Sequence, residues 1–123
     1  MARTRGSFVV PGATPPAVIA TVVAFGQARK FTVMFTAPHQ LFLTRGEESY
    51  DGKRTIVVTV FDGPQGPVVA IEAWTAITFF GELDANPRTF VGAVPRRAMW
   101  KLLNQLAEAL GVPNVTIGFE HGQ

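Results

Sequence analysis

The sequence contains no cysteine, and this absence removes a whole set of chemistries. Disulfides, thiolate nucleophiles and cysteine-based metal sites all require a thiol and are excluded. Histidine is nearly as scarce, with only His39 and His121, and the only serines are Ser7 and Ser49. No pairing of a nucleophile with a base is visible at a useful spacing. We therefore predict a protein that is not an enzyme, has no catalytic residues and needs no cofactor or metal.

Charged residues are also few. They make up 16% of the 123 residues, against roughly 25% in ordinary soluble domains. The net charge of +2 and the sequence pI of about 9.5 make the chain weakly basic, which permits binding to nucleic acid without favouring it. The acidic residues of GEESYD (46–51) interrupt the basic residues on either side, so we do not expect a nucleic-acid partner.

Long hydrophobic runs are missing as well. The two longest, AVIATVVAF and VVAIEAWTAITFF, are too short for a membrane-spanning helix, and the second contains Glu72. The opening MARTRGSFVVPG lacks the apolar segment of a secretory signal. We expect a cytoplasmic protein without a membrane partner.

The apolar content points to a partner of another kind. Hydrophobic residues make up 47% of the chain, including ten Phe and two Trp, which are hard to bury in one small core. The length fits a single domain, 1–123, in which the basic residues 1–6 are expected to form a frayed end. We predict that this domain forms a homo-oligomer.

Local patterns predict the secondary structure. Thr14 is a suitable N-cap for a helix that starts with two prolines and ends at Gly26. Alternation predicts strands at 31–37, 40–45, 54–62 and 67–80, separated by a polar connection at 46–53 and by short turns. In the third strand Ile56, Val58 and Val60 are expected to face the core, with Phe61 on the opposite face.

This order predicts an α+β fold. We expect an antiparallel sheet of four to six strands with two helices packed on one face, in the order short β, α, β, β, β, β, α. The connection at 81–94 forms either a small strand, TFVGAV, or a functional loop. The tail can add a last edge strand through Val115, Ile117 and Phe119.

The last helix, at 95–110, raises a question of electrostatics. Its apolar stripe begins at Met99, but Arg96 and Arg97 occupy the first turn, where the helix dipole is already positive. One explanation is a local salt bridge to Glu82 or Asp84, or simple solvation. The other is a site for an apolar or anionic ligand between the sheet and this helix, formed by Arg96, Arg97 and Trp100. Trp100 lies off the main stripe and is otherwise expected to seal the core edge.

A second candidate surface lies on the sheet. Alternation places Trp74 away from the helices, with Phe61 and Met34 as potential neighbours. Two such apolar faces can pack together in a homodimer, so we predict that these three residues form an interface. The alternatives are local packing at the rim, or a pocket for an apolar ligand.

Two segments carry a resemblance to known folds. SFVVPGATPPAVIATV is similar to the strand, proline-rich turn and helix that open START-like helix-grip domains, and PRRAMWKLLNQLAEAL is similar to their closing helix. The element order also resembles the TATA-binding-protein-like fold, a curved antiparallel sheet with two helices on one side. The resemblance lies in the order of elements and implies a fold without assigning residues to a function.

Overall fold

The computed structural model describes residues 2–46, 52–78 and 80–122, and its elements confirm the predicted α+β class and order. The predicted connection at 46–53 lies largely outside the described residues, as does Phe79. The elements are β1 (Arg3–Val9), α1 (Pro15–Ala28), β2 (Thr32–Ala37), β3 (Gln40–Arg45), β4 (Lys53–Gly63), β5 (Gly66–Ile77), β6 (Gly81–Leu83), α2 (Ala93–Ala109), a 3-10 turn (Val115–Gly118) and β7 (Glu120–Gly122).

The strands form one antiparallel sheet in the order β2-β3-β4-β5-β1-β7, and β6 pairs with the end of β5. The run from β2 to β5 is the predicted meander. β1 pairs with β5 rather than with β2, and α1 carries the chain between these positions. Its 14 residues span about 21 Å. That length matches the roughly 19 Å between β1 and β2, which are four strand spacings apart.

Both helices cover the same face of the sheet. On α2 the side chains of Met99, Leu103 and Leu106 are fully buried against the strands, and α1 contributes Val18 and Val22. The strand residues they meet include Leu41, Leu43, Ile56, Val58, Val60, Val69, Ile71 and Ala73. Each buried Leu or Ile contributes about 1.5–3 kcal/mol, so this layer supplies most of the driving force for folding.

The start of α1 follows the predicted capping chemistry, but its end does not. Thr14 Oγ1 accepts a hydrogen bond from the Ala17 amide at 3.3 Å, and two prolines fill the first turn. Gly26 does not end the helix, which continues to Ala28. A Cβ at Gly26 would lie 2.9 Å from Leu43 Cδ2, so this glycine allows α1 to pack closely on the sheet.

The prediction that residues 1–6 fray is wrong for residues 2–6, and residue 1 lies outside the described part of the chain. Arg3–Val9 is a strand paired on both sides, to β5 and, over its first half, to β7. Its arginines form ion pairs with glutamates that lie far away in the sequence. A basic segment that is charged in isolation is therefore neutralised once the sheet forms.

The connection and the tail also differ from the prediction. Within 81–94 the strand is Gly81–Leu83, whereas TFVG (89–92) leads by a turn into α2, which already contains Ala93 and Val94. In the tail, the residues expected to form a strand make a 3-10 turn, and the strand comes later, at Glu120–Gly122. Phe119, between these two elements, points into the core and stacks on Phe8 with ring centroids 6.2 Å apart.

Candidate functional site

The helices leave one side of the sheet uncovered, and we call this side the outer face. Residues that are paired across antiparallel strands share a face, so the register defines its members. They include Arg3, Arg5, Ser7 and Val9 of β1, Thr32 and Met34 of β2, Gln40, Phe42 and Thr44 of β3, Lys53, Thr55, Val57, Thr59 and Phe61 of β4, Val68, Ala70, Glu72, Trp74 and Ala76 of β5, and Glu120 of β7.

The three residues predicted to form an interface, Trp74, Phe61 and Met34, all stand on the outer face. They do not form one cluster. Trp74 pairs with Thr55, six residues along β4 from Phe61, which corresponds to about 20 Å. Met34 lies on the edge strand β2 and is 55% exposed, while Phe61 is 49% exposed. These three residues therefore lie apart from one another on the outer face.

Trp74 is covered from within the chain. The guanidinium carbon of Arg3 lies 3.7 Å from the centroid of its ring. The same guanidinium donates to Glu82 Oε1 at 2.8 Å and to Glu72 Oε1 at 2.7 Å. Arg5 Nε donates to the other oxygen of Glu72 at 2.6 Å. Two cations and two anions thus alternate beside Trp74, and we call this group the ion network.

The ion network shifts the titration of both carboxyl groups. Hydrogen bonds from Arg3 lower the pKa of Glu82 below its ordinary value. Burial alone would raise the pKa of Glu72, but hydrogen bonds from Arg3 and Arg5 outweigh it and lower the pKa. Both side chains therefore remain ionised and paired well below neutral pH.

A concavity of about 610 Å³ opens on the outer face beside the ion network. Two of its lining side chains are hydrogen-bonded to each other, since Gln40 Nε2 donates to Thr59 Oγ1 at 3.0 Å, and Gln40 Oε1 also accepts from Thr36 Oγ1 at 2.8 Å. The lining consists of Arg5, Gly6, Ser7, Gln40, Val57, Thr59, Ala70, Ile71, Glu72, Gly118 and Glu120. The outer face thus has a concavity lined by charged, polar and apolar residues.

One of the two arginines that oppose the helix dipole at the start of α2, Arg96, has a local partner. Its side chain is buried and forms an ion pair with the carboxylate of the buried Asp84. Its Nε donates to the Val91 carbonyl at 2.7 Å. The N-cap of the helix, Gly92, has no side chain to offer, so Arg96 instead organises the chain that enters α2. Arg97, one position later, is exposed.

Trp100 has a different set of contacts from Arg96. Its ring contacts the His121 ring edge-on, with the ring centroids 5.5 Å apart, and packs against the rim of the core. Nδ1 of His121 is 2.7 Å from Thr4 Oγ1, which also accepts from the Ala85 amide at 2.8 Å. Because that amide is already donating, the Thr4 hydroxyl can donate its hydrogen to neutral His121. Arg96 is thus paired with Asp84, Trp100 packs on His121, and Arg97 is exposed.

The burial of His121 predicts a pH dependence of stability. Burial lowers the pKa of His121, with a smaller opposing influence from Asp84 and a smaller reinforcing one from Arg96. The unfolded chain therefore binds this proton more tightly than the folded one. The stabilisation should be complete above about pH 6.5 and be lost as the pH falls through the lowered pKa.

Urea denaturation between pH 5 and pH 8 tests this expectation. The free energy of unfolding should decrease below about pH 6.5, a range in which Glu72 and Glu82 stay ionised. His121→Gln should flatten the profile, whereas His39→Gln, at an exposed turn, should leave it unchanged. An unaltered slope in His121→Gln would assign the dependence to another group.

Sequence reasoning did not find the ion network or the contacts of Thr4 and His121. The only local signal for the first is the alternation of arginines in RTRG, which places Arg3 and Arg5 on the same face of a strand. Among the residues described, no three His, Asp or Glu side chains are grouped as metal ligands. Within the same residues, neither helix combines the length and hydropathy needed to cross a bilayer.

The function proposed below therefore follows from the outer face and its charges. Relatives of known activity offer no guide. No protein-family model matches the chain, and no curated protein is significantly similar to it.

Proposed function

We propose that the protein acts by association, with the outer face of its sheet packing against the outer face of a second copy. The observation that carries this proposal is the pairing of charges within that face. Arg3, Arg5, Glu72 and Glu82 neutralise one another inside a single chain. Burying an unpaired charge at an interface costs several kcal/mol, and here the charges are already paired.

A second copy suits this face for two further reasons. The ion network has no net charge, so two identical faces do not repel each other. Met34 and Phe61, at the margins of the face, are half exposed, and burying their apolar surface in an interface is favourable. Face-to-face packing of two sheets is a common arrangement, with a separation of about 10 Å. A stable dimer buries about 800 Å² per partner, so most of the outer face would take part.

The test is the oligomeric state of a Phe61→Lys variant. Phe61 lies outside the core, so the fold should survive, while the added charge is placed in the interface. We expect the dissociation constant to rise at least about tenfold, because the lysine ammonium would be buried in the interface without a partner. Sedimentation velocity over a range of concentrations measures it.

The matched control is Phe90→Lys, because Phe90 is 90% exposed and lies outside the sheet. This variant should associate like the wild type. A wild-type chain that stays monomeric at all concentrations would overturn the proposal. Equal association of the wild type and the Phe61→Lys variant would exclude the outer face as the interface.

A second candidate function is the binding of a small ligand. The sequence pattern predicts such a ligand between the sheet and α2, but the α2 side chains that face the sheet there, Met99, Leu103 and Leu106, are fully buried. The concavity on the outer face favours a different position, and its roughly 610 Å³ is within the range of ligand sites. Its lining, in which Arg5, Glu72 and Glu120 stand beside uncharged polar and apolar residues, suits a ligand with polar groups. Native mass spectrometry separates the candidates: a multimer of bare chains supports association, and a monomer with extra mass supports the ligand.

Of the two fold resemblances, we favour the TATA-binding-protein-like one. Two helices cover one face of an antiparallel sheet, and the opposite face is open. An open sheet face is what association requires, whereas a helix-grip site would lie beneath α2.

A further inference from the structure

The strand β2 is an uncovered edge of the sheet. It pairs with β3 on one side, and no strand of the described residues lies on its other side. Met34 on the outer face and Phe35 on the helix side are 55% and 51% exposed. The other strands at the margins of the sheet, β6 and β7, have three residues each. β2, with six residues, is the longest open edge among the described strands.

Edges of this kind are normally protected. Proteins place charged residues or prolines on them, or keep them short, because free backbone N–H and C=O groups pair readily with another strand. β2 reads TVMFTA and contains neither a charge nor a proline. Its one irregularity is a register shift against β3 between Phe35 and Ala37. Most of the strand is therefore open to pairing.

The strand is also complementary to itself. In antiparallel self-pairing centred on Met34, Thr32 faces Thr36 of the partner subunit and Val33 faces the partner's Phe35. Thr–Thr pairs and pairs of a β-branched with an aromatic residue are favourable across antiparallel strands. No charge lies opposite a like charge. The sequence TVMFT thus reads the same in both directions by chemical type, as a two-fold contact requires.

We propose that β2 pairs with β2 of a second copy and joins two sheets into one continuous sheet. The two-fold axis stands perpendicular to the sheet at Met34, so the helices of both copies lie on the same side. This edge contact is separate from the outer-face packing proposed above. If both contacts form, the protein is a tetramer made of two dimers. If only the edge contact forms, it is a dimer.

The absence of cysteine makes a direct test possible. In Met34→Cys the two thiols meet on the axis, and paired strand residues are close enough for a disulfide. We expect mild oxidation of dilute protein to link most chains as dimers. Phe90→Cys is the control for random collision, since that residue is exposed and off the sheet. Equal rates of cross-linking for the two variants would overturn the edge contact.

A second variant separates this contact from the outer-face dimer. Phe35→Lys changes the helix side of β2, outside the core cluster, and leaves the outer face intact. In the Met34→Cys background it should reduce disulfide formation at least tenfold, and Phe61→Lys should not. Loss with Phe61→Lys but not with Phe35→Lys would overturn the edge contact and support outer-face packing. Loss with Phe35→Lys alone would support the edge contact, whatever the fate of the outer-face dimer.

Discussion

Replacing Arg96 with methionine should lower the free energy of unfolding by about 3–5 kcal/mol, the usual cost of breaking a buried ion pair. The Asp84 carboxylate would remain buried without its cation, and the Val91 carbonyl would lose the donor that holds the turn before α2. Methionine retains much of the volume, so loss of packing contributes little to the expected effect. Urea denaturation at neutral pH measures the change.

The neighbouring arginine provides a matched control. Arg97→Met removes the same charge from the same turn, but from an exposed position. It should be neutral or stabilise by a few tenths of a kcal/mol, because a cation at this end opposes the helix dipole. Combining Arg96→Met with Asp84→Leu should recover part of the loss, since no buried charge is then left unpaired. If Arg96→Met and Arg97→Met have the same stability, Asp84 has another partner or access to water.

Replacing Gly6 with valine should be nearly as damaging, for a steric reason. A Cβ at Gly6 would lie 2.1 Å from Phe119 Cδ1, well inside contact distance, so the phenyl ring must leave its place. Emptying a buried phenylalanine site costs about 3–5 kcal/mol. For a chain of this size, the melting temperature should fall by about 10 °C or more.

Two comparisons isolate the clash from other effects. Gly118→Ala, in the segment just before Phe119, adds a Cβ with no heavy atom within 4 Å and should change the melting temperature little. Adding Gly6→Val to Phe119→Ala should cost far less than Gly6→Val alone, because the ring is already gone. A melting temperature of Gly6→Val within a few degrees of the wild type would mean that Phe119 is not part of the stabilising core.

The sequence predicts the meander and the helices because their signals are local. Alternation over a few residues assigns Val58 and Phe61 to opposite sides of β4, and the stripe that begins at Met99 orients α2. Glycine is less informative. A glycine at position 26 is typical of a helix end, yet Gly26 lies within α1 and allows it to pack closely against Leu43. Only the position of β3, which lies elsewhere in the sequence, distinguishes these two roles.

The candidate site was predictable only in part. Alternation places Trp74 on the face away from the helices, but it contains no information about what covers the ring. The covering residue, Arg3, is 69 residues from Glu72 and 79 from Glu82. The two explanations weighed for Arg96 could be separated only by the depth at which Asp84 is buried. Contacts of this kind depend on which strands become neighbours, and no local pattern encodes that.

The position of β1 has a consequence for how the chain folds. The strands β2 to β5 can assemble through short connections, whereas β1 must wait until β5 exists and must then close the loop of 58 residues between Val9 and Val68. Loop closure of this length is slow compared with hairpin formation, so we expect β1 to dock late. Until it docks, the partly folded sheet has two long open edges, β2 and β5, whereas in the folded chain only β2 is a long open edge among the described strands. The folding rate should therefore fall, and misassembly should increase, when the contacts that hold β1 are weakened.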